Sequence, residues 1–260
     1  MSIWMTTIST TTEAGVRLVH GLRRWFAVAA VCLAAPVAAQ DVELELVLLA
    51  DASGSIDAAE IAFQRDGYAQ AMTDPRVLAA IHNTAYGRIA VTYVEWAATG
   101  MEDVVVPWTI VGDAHSAQAF ADALTGPPRR AFGRNAIGSA LLKGKQLIEE
   151  NDIDGWRKVI DFSGDSANNW NGPSIAHARA EVLAAGITIN GLPILCRFCS
   201  GRPSGGNLEQ LFAERIIGGM GAFVVTADDA ESFADAVRRK LILEISGLMP
   251  ARRFAAAAAE

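Results

Sequence analysis

A short apolar segment that ends in oxygen-bearing side chains is the feature that most constrains what this chain can fold into. Residues Val42–Ser55 read VELELVLLADASGS, and the stretch from Leu44 to Leu49 is apolar except for Glu45. An apolar run of this length is typical of a strand that helices cover on both faces of a parallel sheet. We therefore predict an α/β protein whose first strand is buried.

The end of this segment places one carboxylate and two hydroxyls at alternate positions. In an extended turn, alternate side chains point the same way, so Asp51, Ser53 and Ser55 are predicted to converge. Hard cations such as Mg²⁺ prefer these oxygen ligands. The same residue types also form ordinary turns, and Asp57 can cap a following helix, so a purely structural role is the alternative. The location favours a ligand site, because open α/β sheets bind ligands at the carboxyl ends of their strands.

This D-x-S-x-S pattern resembles the opening of a von Willebrand factor type A domain, in a branch found in exported bacterial proteins. The resemblance covers about Asp41 to Ile245. It implies a metal-ion-dependent adhesion site and a doubly wound, mostly parallel six-stranded sheet with helices on both faces. The implied strand order is 3-2-1-4-5-6, with strand 3 antiparallel at the edge. The short loop Ala97–Asp103 also predicts that antiparallel pair, because a parallel crossover needs a longer connection.

The rest of the chain alternates predicted strands and helices, which implies right-handed crossovers in the sheet. After the first strand, the predicted strands are Arg88–Trp96, Val104–Ile110, Lys158–Ser163, Ile187–Leu195 and Ala222–Thr226. The predicted helices are Asp57–Met72, a turn at Val77–Ile81, Ala114–Leu124, Asn135–Glu150, Pro173–Ala185, Asn207–Ile216 and Asp228–Ile245. In the strand order that the resemblance implies, the winding reverses between the first and fourth strands, so the segments that follow those two strands should share one site.

The segment after the fourth strand is a second cluster of polar side chains. The family ends this strand in Thr-Asp-Gly, whereas this chain has Ser163-Gly164-Asp165, which displaces the carboxylate by one residue. The resemblance assigns Asp165 to the metal site, as a direct ligand or through a bridging water. Asp161 lies inside the apolar strand and needs a partner there, either to support the site or as a structural anchor.

Asn135 stands where the family contributes a threonine from the loop before a long helix, here Gly133-Arg134-Asn135-Ala136-Ile137-Gly138. Its amide oxygen can ligate a metal or a bound water, but asparagine also caps helices well. Arg134 can hold a carboxylate or put its own cation where the metal would lie. The predicted metal-binding residues are Asp51, Ser53, Ser55, Asn135 and Asp165.

Two further residues are candidates for the rim of this site. Glu95 ends the second strand and is either an extra acid at the rim or, as we favour, a solvated strand end. Trp170 lies among asparagines and is the tryptophan best suited to contact a partner.

The first 39 residues have the pattern of a secretory signal peptide. Basic residues precede a short apolar run, Trp25–Ala35, and small residues end at Ala39, where cleavage is predicted. The run is short for a membrane span, although an uncleaved anchor is the alternative. We predict a von Willebrand factor type A-like domain at residues 40–247, a low-complexity tail at 248–260, and a periplasmic or secreted protein.

Export also bears on the two cysteines that remain after the leader, Cys196 and Cys199. An oxidising compartment favours a disulfide between them. A redox role is the less favoured alternative, because the pair runs into a loop and not into a helix start.

The charge balance bears on the class of partner. The formal net charge is −7 and no basic stripe is present, which argues against nucleic acid. The preferred function is an exported, non-enzymatic protein-binding module. It would bind Mg²⁺ or Mn²⁺ weakly, bridge through the metal to an Asp or Glu of a partner protein, and not insert into the membrane after signal cleavage. The alternatives are a metal-free scaffold of the same fold and, less favoured, a magnesium-dependent hydrolase or phosphatase, since no G-x-S-x-G surrounds Ser53 or Ser163.

Overall fold

The structure is a computed structural model that describes residues 40–195, 207–227 and 233–248. The predicted signal peptide, the predicted Cys196–Cys199 disulfide and nearly all of the predicted tail lie outside these residues. Within the described ranges, every helix lacks the length or the apolarity that crossing a membrane requires.

A mixed sheet forms the centre of the described part of the chain. Its strands are β1 Gln40–Asp51, β2 Ile89–Trp96, β3 Asp103–Val111, β4 Ile153–Gly164 and β5 Thr188–Pro193. Their order is β3-β2-β1-β4-β5. β1 pairs in parallel with β2 and β4, β4 pairs in parallel with β5, and β3 is antiparallel to β2 at the edge. The α/β class, the central position of the first strand and the antiparallel edge strand are therefore confirmed.

The prediction of a sixth strand at Ala222–Thr226 is wrong. The segment contributes only isolated bridges next to β5, of which Val224 with Gly191 is one. The backbone N–H of Phe223 donates to the side chain of Asn190 at 3.1 Å and not to a strand carbonyl. A regular ladder cannot continue through that contact, so the described sheet has five strands.

Seven α-helices lie among the described residues, close to the predicted positions. They are α1 Ala58–Met72, α2 Pro75–His82, α3 Ala114–Thr125, α4 Ile137–Glu149, α5 Ile175–Ala184, α6 Leu208–Leu211, which continues as a π-helix over Phe212–Ile216, and α7 Phe233–Ser246. Asp57 caps α1, because its side chain accepts the N–H groups of Ala59 and Glu60 while Glu60 bonds back to the Asp57 N–H. The predicted cap is therefore confirmed.

The alternating side chains of β1 enter two separate cores. Leu44, Leu46 and Leu48 pack in the layer with α1, α2, α3 and α7. Val47 and Leu49 pack on the opposite face, in the layer with α4, α5 and the π-helix. All five side chains are fully buried, as the apolar run predicted. Burial on both faces holds β1 rigidly and so gives a fixed base to the turn that follows it.

A buried ionic network ties the last helix to the sheet. Lys240 of α7 lies 2.7 Å from a carboxylate oxygen of Asp161 on β4 and 2.5 Å from one of Glu244. Asn190 of β5 donates to the same Glu244 oxygen at 2.9 Å. Burial and the neighbouring Asp161 carboxylate raise the pKa of Glu244 to about 7. Asp161 is thus a structural anchor for α7, which decides between its two predicted roles.

Candidate metal site at the carboxyl end of the sheet

The turn that follows β1 brings the three predicted oxygen-bearing residues together. The backbone N–H of Ser53 donates to Oδ1 of Asp51 at 2.8 Å. The hydroxyl oxygens of Ser53 and Ser55 lie 3.3 Å apart. The N–H of Ala52 continues the pairing with β2 by donating to the carbonyl of Trp96 at 2.9 Å. Strand pairing therefore holds the start of the turn, and the Asp51 carboxylate holds its shape.

The Asp51 carboxylate lies in an environment that disfavours its negative charge. Asp51 is fully buried, and among the described residues its Oδ2 atom has no hydrogen-bond partner. Burial and the nearby Asp165 carboxylate raise the pKa of Asp51 to about 7, although hydrogen bonds from Ser53 and from the backbone of Asp165 oppose the shift. A cation next to Oδ2 would remove this destabilisation, so the environment fits a metal ligand.

The end of β4 supplies the second carboxylate. Asp165 is partly exposed, but its Oδ1 atom is buried and without a hydrogen-bond partner among the described residues. Its charge also contributes to raising the pKa of Glu60, after burial and Asp57. The structure thus places Asp165 near Asp51 and adds Glu60 of α1 to the surroundings of the site, which sequence analysis had assigned to no site role.

Glycine occupies position 164, where the von Willebrand factor type A pattern has aspartate, and this affects the space beside Asp51. A Cβ atom at position 164 would lie 3.1 Å from Oδ2 of Asp51 and 3.3 Å from the ring of Trp96. A side chain at this position would therefore face the unpartnered oxygen of Asp51. Glycine leaves that space free, and the carboxylate comes instead from the next residue, Asp165.

The loop that carries Asn135 is pinned between the other two loops. Gly133 has a φ of +112°, and its carbonyl accepts the N–H of Gly54 at 2.8 Å. A Cβ atom there would lie 2.7 Å from Cβ of Ala98, so the close approach requires glycine. The carbonyl of Asn135 accepts the N–H of Trp170, also at 2.8 Å. Three loops therefore meet at the carboxyl end of the sheet.

Asn135 does not cap the helix that follows it. α4 begins at Ile137 with Ala136 as its N-cap residue, and no side chain caps it. Asn135 is 8% exposed and lies in the loop that bonds to the metal-site turn. The capping alternative is therefore wrong, and a role for the side chain in the site stays a prediction.

Arg129 braces the turn and was missed by sequence analysis. Its guanidinium donates to the carbonyls of Ala52, of Ser53 at 3.1 Å and of Ile56 at 2.8 Å. These contacts orient the backbone so that the Ser53 and Ser55 side chains lie together. No local pattern marks such a residue, because its partners are more than 70 positions earlier in the chain.

Glu95 plays neither of its two predicted roles, so the favoured solvated strand end is wrong. It is fully buried and pairs with Arg65 of α1, with 2.7 Å between Oε1 and Nε. Arg65 also donates to the carbonyl of Pro127 at 2.5 Å. The pair joins β2 to α1 and to the segment after α3, which makes it part of the support beneath the site.

Arg134 lies against an aromatic side chain at the rim of the site. Its guanidinium lies 4.9 Å from the ring centre of Trp170, in a cation–π contact. Trp170 is 62% exposed, which agrees with its predicted position at the rim.

The donor set is suited to a hard divalent cation. No group of three or more histidine, cysteine, aspartate or glutamate side chains that would hold a metal occurs in the part of the chain that the structure describes. The structure brings together the carboxylates of Asp51 and Asp165 and the hydroxyls of Ser53 and Ser55, and oxygen donors of this kind suit a hard divalent cation better than a structural zinc site does.

Comparison with known proteins identifies a family and a fold. The family described as Protein of unknown function (DUF1194) matches residues 41–249. No curated protein is significantly similar to the chain.

Several solved structures share the fold. The pilus adhesin SpaC from Lactobacillus rhamnosus GG in its open conformation is 16% identical, with a TM-score of 0.54 over 79% of this chain and 30% of that chain. For the von Willebrand factor type A protein from Catenulispora acidiphila the identity is 17%, the TM-score 0.52 and the coverages 78% and 43%. Mussel byssus proximal thread matrix protein 1, described with a zinc-occupied MIDAS motif, is 19% identical, with a TM-score of 0.52 over 80% of this chain and 48% of that chain. This chain thus spans less than half of each and has the von Willebrand factor type A fold.

Proposed function

The chain belongs to the family described as Protein of unknown function (DUF1194), and for this member we propose a non-enzymatic binding module that engages a partner through a divalent metal ion. The observation that carries the proposal is a pair of buried oxygens without hydrogen-bond partners in the described chain, Oδ2 of Asp51 and Oδ1 of Asp165. Such atoms destabilise a fold by about 1–3 kcal/mol each when nothing pairs with them. A metal ion between the two loops would pair with both.

The proposed ligands are Asp51, Ser53 and Ser55, with Asn135 and Asp165 contributing directly or through water. With so few carboxylates the metal should be Mg²⁺ or Mn²⁺ and weakly bound, because neither ion is held by an all-protein cage. The metal would supply a positive charge with an open position. An Asp or Glu carboxylate of a partner protein would fill that position and complete the bridge.

The structural neighbours support this proposal by showing which kinds of site occur on this fold. One is described as a pilus adhesin and another as having a zinc-occupied MIDAS motif, that is, a metal-ion-dependent adhesion site. The D-x-S-x-S turn of this chain resembles the opening of a metal-ion-dependent adhesion site and lies on the same fold. We further propose that the protein acts after export, in the periplasm or outside the cell, in keeping with its predicted leader.

The hydroxyl environments support a binding role over catalysis. The Ser163 hydroxyl donates to the carbonyl of Leu49 at 3.2 Å, which occupies its proton within the sheet. The Ser53 hydroxyl is engaged with that of Ser55. A nucleophilic serine needs a neighbouring base instead. We therefore propose that this site binds and does not catalyse.

Metal titration of the purified protein tests the proposal. Calorimetry or NMR should detect Mg²⁺ or Mn²⁺ binding by the wild type, no binding by Asp51→Asn, and weaker binding by Ser53→Ala. Asparagine is preferred to alanine because Asp51 is fully buried and its Oδ1 accepts a hydrogen bond from Ser53. Asp154→Asn is the matched control, since Asp154 is an exposed carboxylate near the opposite end of β4. An identical titration for the wild type and Asp51→Asn would overturn the metal site.

A metal-free scaffold is the second candidate, and two features favour it. Arg129 already brings a cation to the carbonyls of Ala52 and Ser53. Glycine also stands at position 164, where the von Willebrand factor type A pattern has aspartate. In that case partner binding would be unaffected by chelators. Chelator-resistant binding that also survives Asp51→Asn would favour the scaffold over the metal bridge.

A further inference from the structure

Two exposed aromatic side chains lie on the loops that surround the candidate metal site. Phe132 is 51% exposed and Trp170 is 62% exposed. Phe132 lies in the Asn135 loop, and its carbonyl accepts the N–H of Ala98 at 3.4 Å. Trp170 is bonded through its backbone to Asn135. Single exposed aromatics are common on protein surfaces, so their charged neighbours decide whether these two have a role.

Each aromatic ring has an arginine at the same distance, but the two arginines differ in what else they contact. The guanidinium of Arg129 lies 4.9 Å from the ring centre of Phe132, and its donors are taken by backbone carbonyls. The guanidinium of Arg134 lies 4.9 Å from the ring centre of Trp170, and Arg134 is exposed. Among the described residues Arg134 makes no hydrogen bond or ion pair. It is therefore a cation positioned by an aromatic face with its donors open to an external acceptor.

The loop under Trp170 is braced. The side chain of Asn169 accepts the N–H of Gly138 at 3.1 Å and donates to the carbonyl of Pro173 at 3.0 Å. Together with the Trp170 to Asn135 bond, these contacts hold the indole in place before any partner arrives. A preorganised side chain loses less entropy on binding, and tryptophan and arginine are enriched among residues that dominate interface energies.

We propose that Arg134 and Trp170 form a docking surface for a segment of a partner protein in which an aspartate or glutamate lies beside an aromatic residue. An acidic side chain of this segment, separate from the carboxylate proposed to reach the metal, pairs with the guanidinium of Arg134. The neighbouring aromatic ring of the segment packs on the exposed part of Trp170. The chain has a net charge of −7, so an acidic segment is repelled by much of the surface and is favoured where Arg134 lies. The proposal rests on the proposed function for the choice of this face, and it names the partner chemistry that a metal alone would not select.

Short blocked peptides are a direct probe. The acidic–aromatic peptide is acetyl-Gly-Asp-Phe-Gly-amide, and the comparison peptides replace Asp by Asn or Phe by Ser. Titration with the purified protein in Mg²⁺ is followed on the NMR signals of the peptides. The acidic–aromatic peptide should bind best. Arg134→Gln should weaken its binding by about fivefold or more, which corresponds to losing a contact of about 1 kcal/mol, and should leave the Asn peptide unchanged. Trp170→Ala should weaken both, with partial rescue in Trp170→Phe.

Two matched variants control for charge and for loss of an indole. Arg130→Gln removes an exposed guanidinium that pairs with Asp103 at 3.6 Å. Trp156→Ala removes a 75% exposed tryptophan near the amino end of β4. Neither should change peptide binding. Equal binding by wild type, Arg134→Gln and Trp170→Ala, equal losses in the controls, or no binding of the acidic–aromatic peptide would overturn the proposal.

The metal dependence separates this proposal from the proposed function. If the acidic–aromatic peptide binds equally well in chelator and to Asp51→Asn, and the Arg134 and Trp170 effects persist there, the docking surface is supported and the metal bridge is overturned. If Mg²⁺ binds at Asp51 but the rim variants leave peptide binding unchanged, the metal site stands and the docking surface is overturned.

Discussion

The buried charge of Asp51 predicts how the metal-free protein responds to pH. Burial and Asp165 raise the pKa of Asp51 from 3.8 to about 7, so the folded state holds this proton to higher pH than the unfolded state. The stability from this group is therefore fully present below pH 3.8 and is lost as pH rises through about 7. Asp51→Asn removes the titrating group and keeps the oxygen that accepts from Ser53.

The size of this loss of stability follows from the pKa of Asp51 in the folded state. Between pH 6 and pH 8 the unfolded carboxyl is already ionised, while the folded one changes from mostly protonated to mostly ionised. This difference corresponds to about one pKa unit, or roughly 1.4 kcal/mol of unfolding free energy lost by the wild type. Glu244 has a folded pKa of about 7 for a similar reason and adds a loss of the same sign and similar size.

Urea unfolding in chelator at pH 6 and pH 8 measures these losses. The wild type should lose about 3 kcal/mol between the two pH values, and Asp51→Asn and Glu244→Gln should each lose about half of that. Mg²⁺ should reduce the loss in the wild type, because a metal favours the ionised carboxylate, and should have no such effect in Asp51→Asn. The same pH-dependent loss in the wild type and Asp51→Asn would refute the assignment of a raised pKa to Asp51.

Two further predictions concern the fold that supports the site. Lys240→Met should lower the unfolding free energy by about 3–5 kcal/mol in denaturant titrations, because it leaves two buried carboxylates without their cation. The control Lys145→Met, in a surface ion pair with Glu149, should change it by less than about 1 kcal/mol, and equal effects would show that the buried network does not stabilise α7. Gly138→Ala should destabilise the protein by about 1–3 kcal/mol and shift the NMR signals of the neighbouring loops, since its Cβ would lie 2.0 Å from the carbonyl oxygen of Pro173. Gly126→Ala, whose Cβ would meet no atom within 4 Å, is the control, and equal thermal stabilities of the two variants would contradict the close packing at Gly138.

Local sequence patterns predicted correctly those features of the structure that depend on residues close together in the chain. The apolar run of β1 predicted a strand buried on both faces, and Asp57 predicted the start of α1 through its capping contacts. The turn Asp51–Ser55 predicted converging oxygens, which the 3.3 Å approach of the Ser53 and Ser55 hydroxyls agrees with. In each case the contacts that matter lie within a few positions, where side-chain periodicity and capping chemistry act.

The roles of single polar residues at the strand ends were decided by tertiary contacts. Glu95 has the sequence context of an exposed acid, but α1 places Arg65 against it and buries the pair. Asp161 likewise acquires its role from Lys240 on the last helix. Neither partner can be inferred from spacing, because each belongs to an element that the fold brings close from a distant part of the chain.

The sequence by itself therefore determined the class of fold, the end of the sheet that carries the candidate site and the convergence of the Ser53 and Ser55 hydroxyls in the first turn. Only the tertiary structure decided that Arg129 braces that turn, that Gly164 leaves space beside Asp51, and that Arg134 stacks on Trp170. The physical reason is the range of the interactions. Hydrophobic periodicity and capping act over a few residues, whereas the charge environment of a site is set by side chains from several elements, whose distances are known only once these elements have packed.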